Sequence, residues 1–534
     1  MSDQKNSLLQ GTVILAVAAF ISKFLGFIYK AFLARMIGGV GLGLYEKAYP
    51  VYTLILTISI VGIPVAISKL VSEKRAEGKD YIADYIFRIA LRVSFIFGLV
   101  ASVTIVILAK PIARYLLADI KVYYSIIAIA PAIFIVSIMA TYRGYFQGLR
   151  KMKPTGISQV IEQLIRMTTM ILLAYLLLPY GVELAAAGAA SGAFWGSIGG
   201  LITILIIYYR YKPQTATEQK VKDVELPNLK DILVKIFSLA LPVTIGALIL
   251  PLMRLVDASM ITRRLIVAGF TLNQATSLYG QFNGMAMTLV RFPTVIAASL
   301  AVNLVPAISE AATLKEDKLV KNRIAKAFKL ALYLSIPASL GLFILARPLC
   351  VMIFGVAQAA ISLRYVALGV VSVSLQQVTS SILQGFNHPK LPARNLFLGV
   401  IANAGLNYFL TAMPQLGIRG AAIGTVTGFT LAAILNIIAV FKIIKPDFDY
   451  YNLIIKPLYS SIIMSMIVYL TYYSLSHLVD IKIITTLTAV LIGAISYGMI
   501  LLFNGGLTKQ DLELLPKIGS KLASKLDKLG LVRG

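Results

Sequence analysis

About fourteen stretches, each apolar for roughly the ~20 residues that a helix needs to cross a ~30 Å hydrocarbon layer, recur along this chain. They lie near 11–36, 48–69, 82–109, 122–147, 156–178, 185–209, 232–261, 278–309, 323–346, 360–386, 393–413, 418–441, 453–475 and 483–503. Lipid offers no partner to a backbone N–H or C=O, so segments of this length must satisfy their polar groups internally, as α-helices. The expectation is an all-α integral membrane protein with about 14 transmembrane helices. A chain that is 58% hydrophobic and only 14% charged excludes a soluble domain. The net charge of +27 would suit nucleic acid, but the basic residues gather in the short connections 69–79, 150–153, 210–235 and 315–329, while 179–183 has none. That alternation is the mark of cytoplasmic loops, and no basic arm interleaved with aromatics appears, so no nucleic-acid partner is expected. Both termini then lie in the cytoplasm. Residues 1–10 lead into an apolar run too long for a cleaved signal, and the single cysteine, Cys350, permits no internal disulfide.

The chain resembles itself. Phe146-Gln147-Gly148-Leu149 followed by Lys153-Pro154 returns as Leu383-Gln384-Gly385-Phe386 followed by Lys390-Leu391-Pro392. Pro64-Val65-Ala66-Ile67-Ser68 returns as Pro306-Ala307-Ile308-Ser309, and Gly181 with Gly188 and Gly192 returns as Gly417 with Gly424 and Gly428. A nearly constant offset signals an internal repeat, and an even six spans per unit makes it a parallel repeat about the membrane normal, as in transporters that rock one half against the other. The expected organisation is an N-terminal lobe at 1–210, a cytoplasmic linker at 211–230, a C-terminal lobe at 231–445, two additional helices within 446–507, and a tail at 508–534. In the tail, Ile518, Leu522, Leu526 and Leu529 oppose Lys517, Lys521, Lys525 and Lys528, the pattern of an amphipathic helix lying on anionic lipid. The small residues between Gly188 and Gly200 suit close helix packing.

Charges inside spans carry the functional signal. Lys23 sits mid-span and Lys30 seven residues on, a separation that drifts only ~20° around a helix, so the two share a face. A charge at the bilayer centre costs at least ~2.5 kcal/mol and normally faces a cavity or a partner. Either neighbouring carboxylates neutralise the lysines, or they line a hydrated cavity for an anionic substrate. Arg254 and Arg291 are further candidates for that cavity. Arg254 with Asp257, and Glu162 with Arg166, stand three and four apart and suit same-face ion pairs, the latter pair being read as structural. Arg88 and Arg92 lie near enough to a span end to snorkel, and Arg143 suits a headgroup or a partner. Asp257, Asn403, Asn407 and Thr425 supply the oxygen ligands a hard cation requires, although asparagines also hydrogen-bond across membrane helices.

Several motifs carry a family resemblance. Ser22-Lys23-Phe24-Leu25-Gly26-Phe27, Gly62-Ile63-Pro64-Val65-Ala66-Ile67-Ser68-Lys69, Tyr142-Arg143-Gly144-Tyr145-Phe146-Gln147-Gly148, and Phe292-Pro293 with Leu304-Val305-Pro306-Ala307-Ile308-Ser309-Glu310 resemble the polysaccharide-transporter branch of the MOP flippase superfamily. Within it they are similar to the Gram-positive MurJ and stage V sporulation protein B group. The resemblance covers nearly the whole chain. It implies a flippase for lipid II, the undecaprenyl-pyrophosphate-linked peptidoglycan precursor, in a bacterial cell membrane, with two six-helix lobes and two further helices. It also implies a sodium coupling ion at Asp257, Asn403, Asn407 and Thr425, with Asn407 standing where a carboxylate is expected. Tyr29 stands where a second basic residue of the first span is expected, and the second span holds no basic residue in its core.

A pyrophosphate-linked headgroup crosses lipid only if cations solvate it, which is what Lys23, Lys30, Arg254 and Arg291 would do. A cation-coupled multidrug exporter of the same superfamily would instead present carboxylates, and a membrane glycosyltransferase would need an extended loop or a carboxylate cluster at a membrane face. No enzyme is expected. A flippase for another lipid-linked polysaccharide, a vegetative or a sporulation role, and an association with the cell-wall synthesis machinery all stay open.

Overall fold

The computed structural model describes residues 2–211, 227–314, 316–446, 448–478 and 481–506. Most of the expected linker and the whole amphipathic tail at 508–534 lie outside the described residues. Among those described, the regular structure is helical throughout, and the protein is an all-α integral membrane protein. Ten helices are long and apolar enough to cross a membrane, or eleven if Ala359–Ala367 and Gly369–Gly385, bent by 47° at their junction, form one broken span.

The helices group into two compact units, residues 1–284 and 285–534. The first holds α1 (Ser2–Ile60), α2 (Gly62–Ala76), α3 (Asp80–Pro111), α4 (Val122–Ile129), α5 (Pro131–Gly148), α6 (Met152–Leu177), α7 (Val182–Tyr211), α8 (Leu229–Val267) and α9 (Leu272–Tyr279). The second holds α10 (Met287–Thr313), α11 (Asp317–Ile344), α12 (Ala346–Phe354), α13 (Ala359–Ala367), α14 (Gly369–Gly385), α15 (Lys390–Leu410), α16 (Ile418–Ile443), α17 (Lys456–Leu478) and α18 (Lys482–Phe503).

Two features differ from the expected spans. Residues 37–47, expected as a loop, are helical, and α1 breaks only at Gly38, whose φ of 64° and ψ of −170° suit a residue without Cβ. The helix α8, expected to open the second lobe, packs within the first unit. The reason is local: Gly62 at the head of α2 has no side chain, and the Ala240 backbone of α8 fills that space, with Cα 2.7 Å from where a Cβ would stand. Ile232, Ile236 and Ala240 of α8 thus join a core with Ile63, Ile67, Phe87 and Phe146. The second unit has its own core, in which Ile308, Ile324, Phe328, Val378, Ile382 and Val440 are buried together.

The repeated motifs make repeated contacts, each inside its own unit. Gly148 at the end of α5 lies against Val71 and the Ser68 carbonyl of α2, and Gly385 at the end of α14 lies against Ile308 and the Val305 carbonyl of α10. Gly181 and Gly417, at φ of 122° and 49°, precede α7 and α16. From there Gly192 and Gly196 bring α7 onto Met170 and Arg166 of α6, while Gly424 and Gly428 bring α16 onto Asn407 and Asn403 of α15. Small residues let the backbones approach where lipid supplies no hydrophobic drive between helices.

Candidate functional site

The site is best built from Tyr49. Tyr45, Tyr49 and Tyr52 recur at spacings of four and three on the second half of α1, so they stack along one face, with ring centroids 5.8 and 5.7 Å apart. Tyr29, on the first half of α1, is also buried. The Arg166 guanidinium of α6 lies 5.5 Å from the Tyr49 ring centroid, a cation–π distance, and Tyr29, Tyr45 and Tyr52 are its other electrostatic neighbours. Arg254 of α8 and Lys30 of α1 act on the same Tyr49 phenol. Helix packing sets this convergence, since the α7 glycines hold the α6 backbone from behind: a Cβ at Gly196 would stand 2.6 Å from Arg166 Cβ.

Charge pairing departs from the expected scheme. Lys30 forms an ion pair of 2.6 Å with Glu46, both side chains largely buried at 13% and 4% exposure, and Glu46 also accepts a 2.6 Å hydrogen bond from Asn283 Nδ2. For Lys30 the neutralised alternative is thus the one observed. Glu162 does not pair with Arg166. Arg143 Nη2 donates to Glu162 at 2.8 Å and to Ser158 Oγ at 2.7 Å, because Gly200 lets the Arg143 guanidinium lie across the α6–α7 junction. Arg143 is therefore an internal cross-helix tie rather than a headgroup contact. Arg254 makes no ion pair with Asp257 among the described residues.

Lys23 is exposed on α1, consistent with a lysine that faces a cavity or lipid and inconsistent with one paired inside the helix bundle. Arg291 and the three oxygen donors Asn403, Asn407 and Thr425 belong to the second unit, whereas Asp257 belongs to the first. Asn403, Asn407 and Thr425 are buried, and the Thr425 hydroxyl oxygen has no hydrogen-bond partner among the described residues. Two amide side chains and a buried hydroxyl at the α15–α16 contact are a donor set that suits a hard cation.

Sequence reasoning missed a second buried pair. Lys47 Nζ donates to Asp119 Oδ2 at 2.9 Å and to Thr276 Oγ1 at 2.8 Å, and Thr276 Oγ1 donates to the same Asp119 oxygen at 2.8 Å. With Lys47 at 0% and Asp119 at 2% exposure, this triad ties together α1, the connection between α3 and α4, and α9. Its signal was the adjacent Glu46-Lys47 inside an otherwise apolar, glycine-rich stretch. The tyrosine row had a signal too, its helical spacing. In the exposed connection after α2, Lys74 and Lys79 hydrogen-bond Glu77 and hold its carboxyl below the usual range.

The family model described as polysaccharide biosynthesis protein matches residues 8–312. Stage V sporulation protein B of Bacillus subtilis is 33% identical over 440 residues, covering 82% of this chain and 85% of that protein. Lipid II flippase MurJ of the same organism is 29% identical over 484 residues, covering 86% and 87%. Among solved structures, that titled "Lipid II flippase MurJ, inward closed conformation" superposes with a TM-score of 0.68 at 16% identity over 91% of this chain and 98% of that one. An inward-facing multidrug resistance MATE family transporter of the MOP superfamily superposes with a TM-score of 0.65 at 18% identity over 79% and 94%. With more than half of its length matched by the family model, and a fold shared with the solved lipid II flippase and MATE transporter structures, the chain belongs to the polysaccharide biosynthesis protein family.

Proposed function

We propose that this protein carries a lipid-linked saccharide, joined to its polyprenyl tail through pyrophosphate, from the inner to the outer leaflet of a bacterial cell membrane, and that the saccharide is the peptidoglycan precursor lipid II. The observation that carries this reading is the Arg166 guanidinium, which lies 5.5 Å from the Tyr49 ring and makes no ion pair with Glu162, whose carboxylate is taken by Arg143. Cations on a tyrosine-lined surface suit an anionic headgroup. The multidrug exporter, which shares the fold, would need carboxylates there, and the buried Glu46 is already committed to Lys30. The relatives support the substrate class, since one of them is named for lipid II. On this reading the protein works by alternating access, both termini are cytoplasmic, anionic lipids receive the tail, and the cell-wall synthesis machinery takes the delivered precursor.

The test is reconstitution of the purified protein in vesicles with lipid II labelled on its headgroup, scored by how fast label on one leaflet becomes accessible from the other, together with complementation of a strain depleted of its lipid II flippase. Accelerated exposure and rescue are expected. Exposure no faster than in empty vesicles, with export of a cationic drug instead, would transfer the protein to the exporter class.

We also propose sodium coupling through Asn403, Asn407 and Thr425 at the α15–α16 contact. A ligand shifts a conformational equilibrium only through different affinities for its states. Exchanging potassium for sodium at constant ionic strength should therefore move the distance distribution between spin labels on the two lobes in the parent protein, and much less in Thr425→Val. Superimposable distributions in both salts for the parent would remove sodium from the mechanism.

A further inference from the structure

Cations of membrane proteins gather in cytoplasmic connections, so two that end a span on the other side call for a reason. Lys110, in the last turn of α3, and Arg114, in the helical turn Ile112–Leu116 that follows, are four residues apart and share a face. Both are exposed. Val103 and Ile107 precede them by seven residues each on that face and are exposed too, Ile107 at 70%, as side chains that meet lipid are. The face therefore runs from hydrocarbon into the headgroup layer at Lys110 and Arg114. Tyr115 beside them, and Tyr175 and Tyr180 at the corresponding end of α6, are exposed, as in the aromatic belt of a membrane interface.

Helix α8 completes this surface. The last carbonyls of a helical run lack partners within it, and Arg263 Nη2 donates to those of Tyr115 and of Leu116, the latter at 3.3 Å. That contact sets the end of α8 against the turn 112–116. Ile266 and Val267, three and four residues beyond Arg263, lie on its face and are exposed, so an apolar flank adjoins the cations. The acids of this end are already committed, Asp119 to Lys47 and Glu183 to Lys121. Lys110 and Arg114 make no ion pair among the described residues, and the Arg114 guanidinium lies 5.9 Å from the Tyr115 ring centroid. A soluble acidic peptide would meet the charge and leave the apolar flank uncovered, whereas a phospholipid covers both.

We propose that Lys110 and Arg114 bind the phosphodiester of an anionic phospholipid of the outer leaflet, whose acyl chains lie against Ile266 and Val267. Arg263 is the positioning residue, since it brings that flank of α8 to the cations. The site takes its leaflet from the cytoplasmic placement of the termini and is independent of the transported substrate. A cation near an anionic lipid surface is worth about fivefold in binding, so two should favour an anionic over a zwitterionic phospholipid about twentyfold.

The test places a bimane on Val267→Cys in the full-length protein in nanodiscs, Cys350 being buried, and titrates its quenching by phosphatidylglycerol or phosphatidylcholine carrying a spin label high on one acyl chain. Phosphatidylglycerol should quench at about twentyfold lower mole fraction, Lys110→Gln and Arg114→Gln should each cut that ratio about fivefold, and the two together should bring it close to one. Both side chains are exposed, so these variants should accumulate at the parental level. A bimane on Tyr175→Cys, at the end of α6, should show no such preference. A ratio near one at Val267→Cys in the otherwise parental protein would overturn the site, as would a ratio that survives loss of both cations or one equally large at Tyr175→Cys, which would be unselective attraction to the whole protein. A membrane-impermeant maleimide should label Val267→Cys in intact cells, and labelling only after permeabilisation would overturn the outer-leaflet assignment.

Discussion

Asp119→Ala is expected to strip the first unit of most of its stability, because the substitution leaves the Lys47 ammonium buried without a counter-ion. Breaking a buried pair from one side costs ~3–5 kcal/mol, and Lys47 at 0% exposure keeps, among the described residues, only its hydrogen bond to the neutral Thr276 Oγ1. The triad ties three segments together through charge, so the loss should appear as a lowered midpoint of thermal unfolding in detergent and as poor accumulation in the membrane. Lys47→Met combined with Asp119→Leu removes both charges and should recover most of the loss, since an apolar pair of similar volume is often neutral or better. A double variant no more stable than Asp119→Ala would mean that the triad is held for its hydrogen bonds and not for charge balance.

Lys23→Ala should abolish transport, a drop of a hundredfold or more in flipping rate, with the protein still inserted and at normal level. The separation of the two readouts follows from exposure: Lys23 is exposed and orphans no buried partner among the described residues, whereas Lys30→Ala leaves Glu46, at 4% exposure, without its cation. Lys30→Ala should therefore lose accumulation as well as transport, and Lys30→Ala with Glu46→Gln should restore accumulation only. Lys23→Arg keeps the charge and should retain part of the activity. Flipping at the parental rate in Lys23→Ala would take Lys23 out of the substrate path and leave it as a lipid-facing residue.

How far the candidate site could be read from the chain depends on the residue. Lys30 was legible because an intramembrane charge costs enough to require a function or a partner, and its partner is Glu46. Arg166 was explained away by Glu162 one turn earlier, a pairing that helical spacing permits. Spacing fixes which side chains share a face, but it says nothing of a third charge arriving from another helix, and Arg143 crosses from α5 to claim that carboxylate. Tyr29, Tyr45 and Tyr52 carry no formal charge and so gave no warning, although their burial around a guanidinium is what makes the site.

The sequence by itself determined the class, all-α and membrane-spanning, because apolar length and backbone hydrogen bonding leave no alternative in lipid. It also determined the repeat, since the Gln-Gly ends at Gly148 and Gly385 and the left-handed glycines at Gly181 and Gly417 carry local backbone demands that are written where they act. Only the tertiary structure decided that α8 packs with the first unit, that Lys47 and Asp119 meet across 72 positions of sequence, and that Arg166 lies over the Tyr49 ring while Glu162 goes to Arg143. Each of these depends on which helix faces which, and that choice is made by close approach at residues such as Gly62 and Gly196, whose missing side chains admit a neighbour that the sequence does not name.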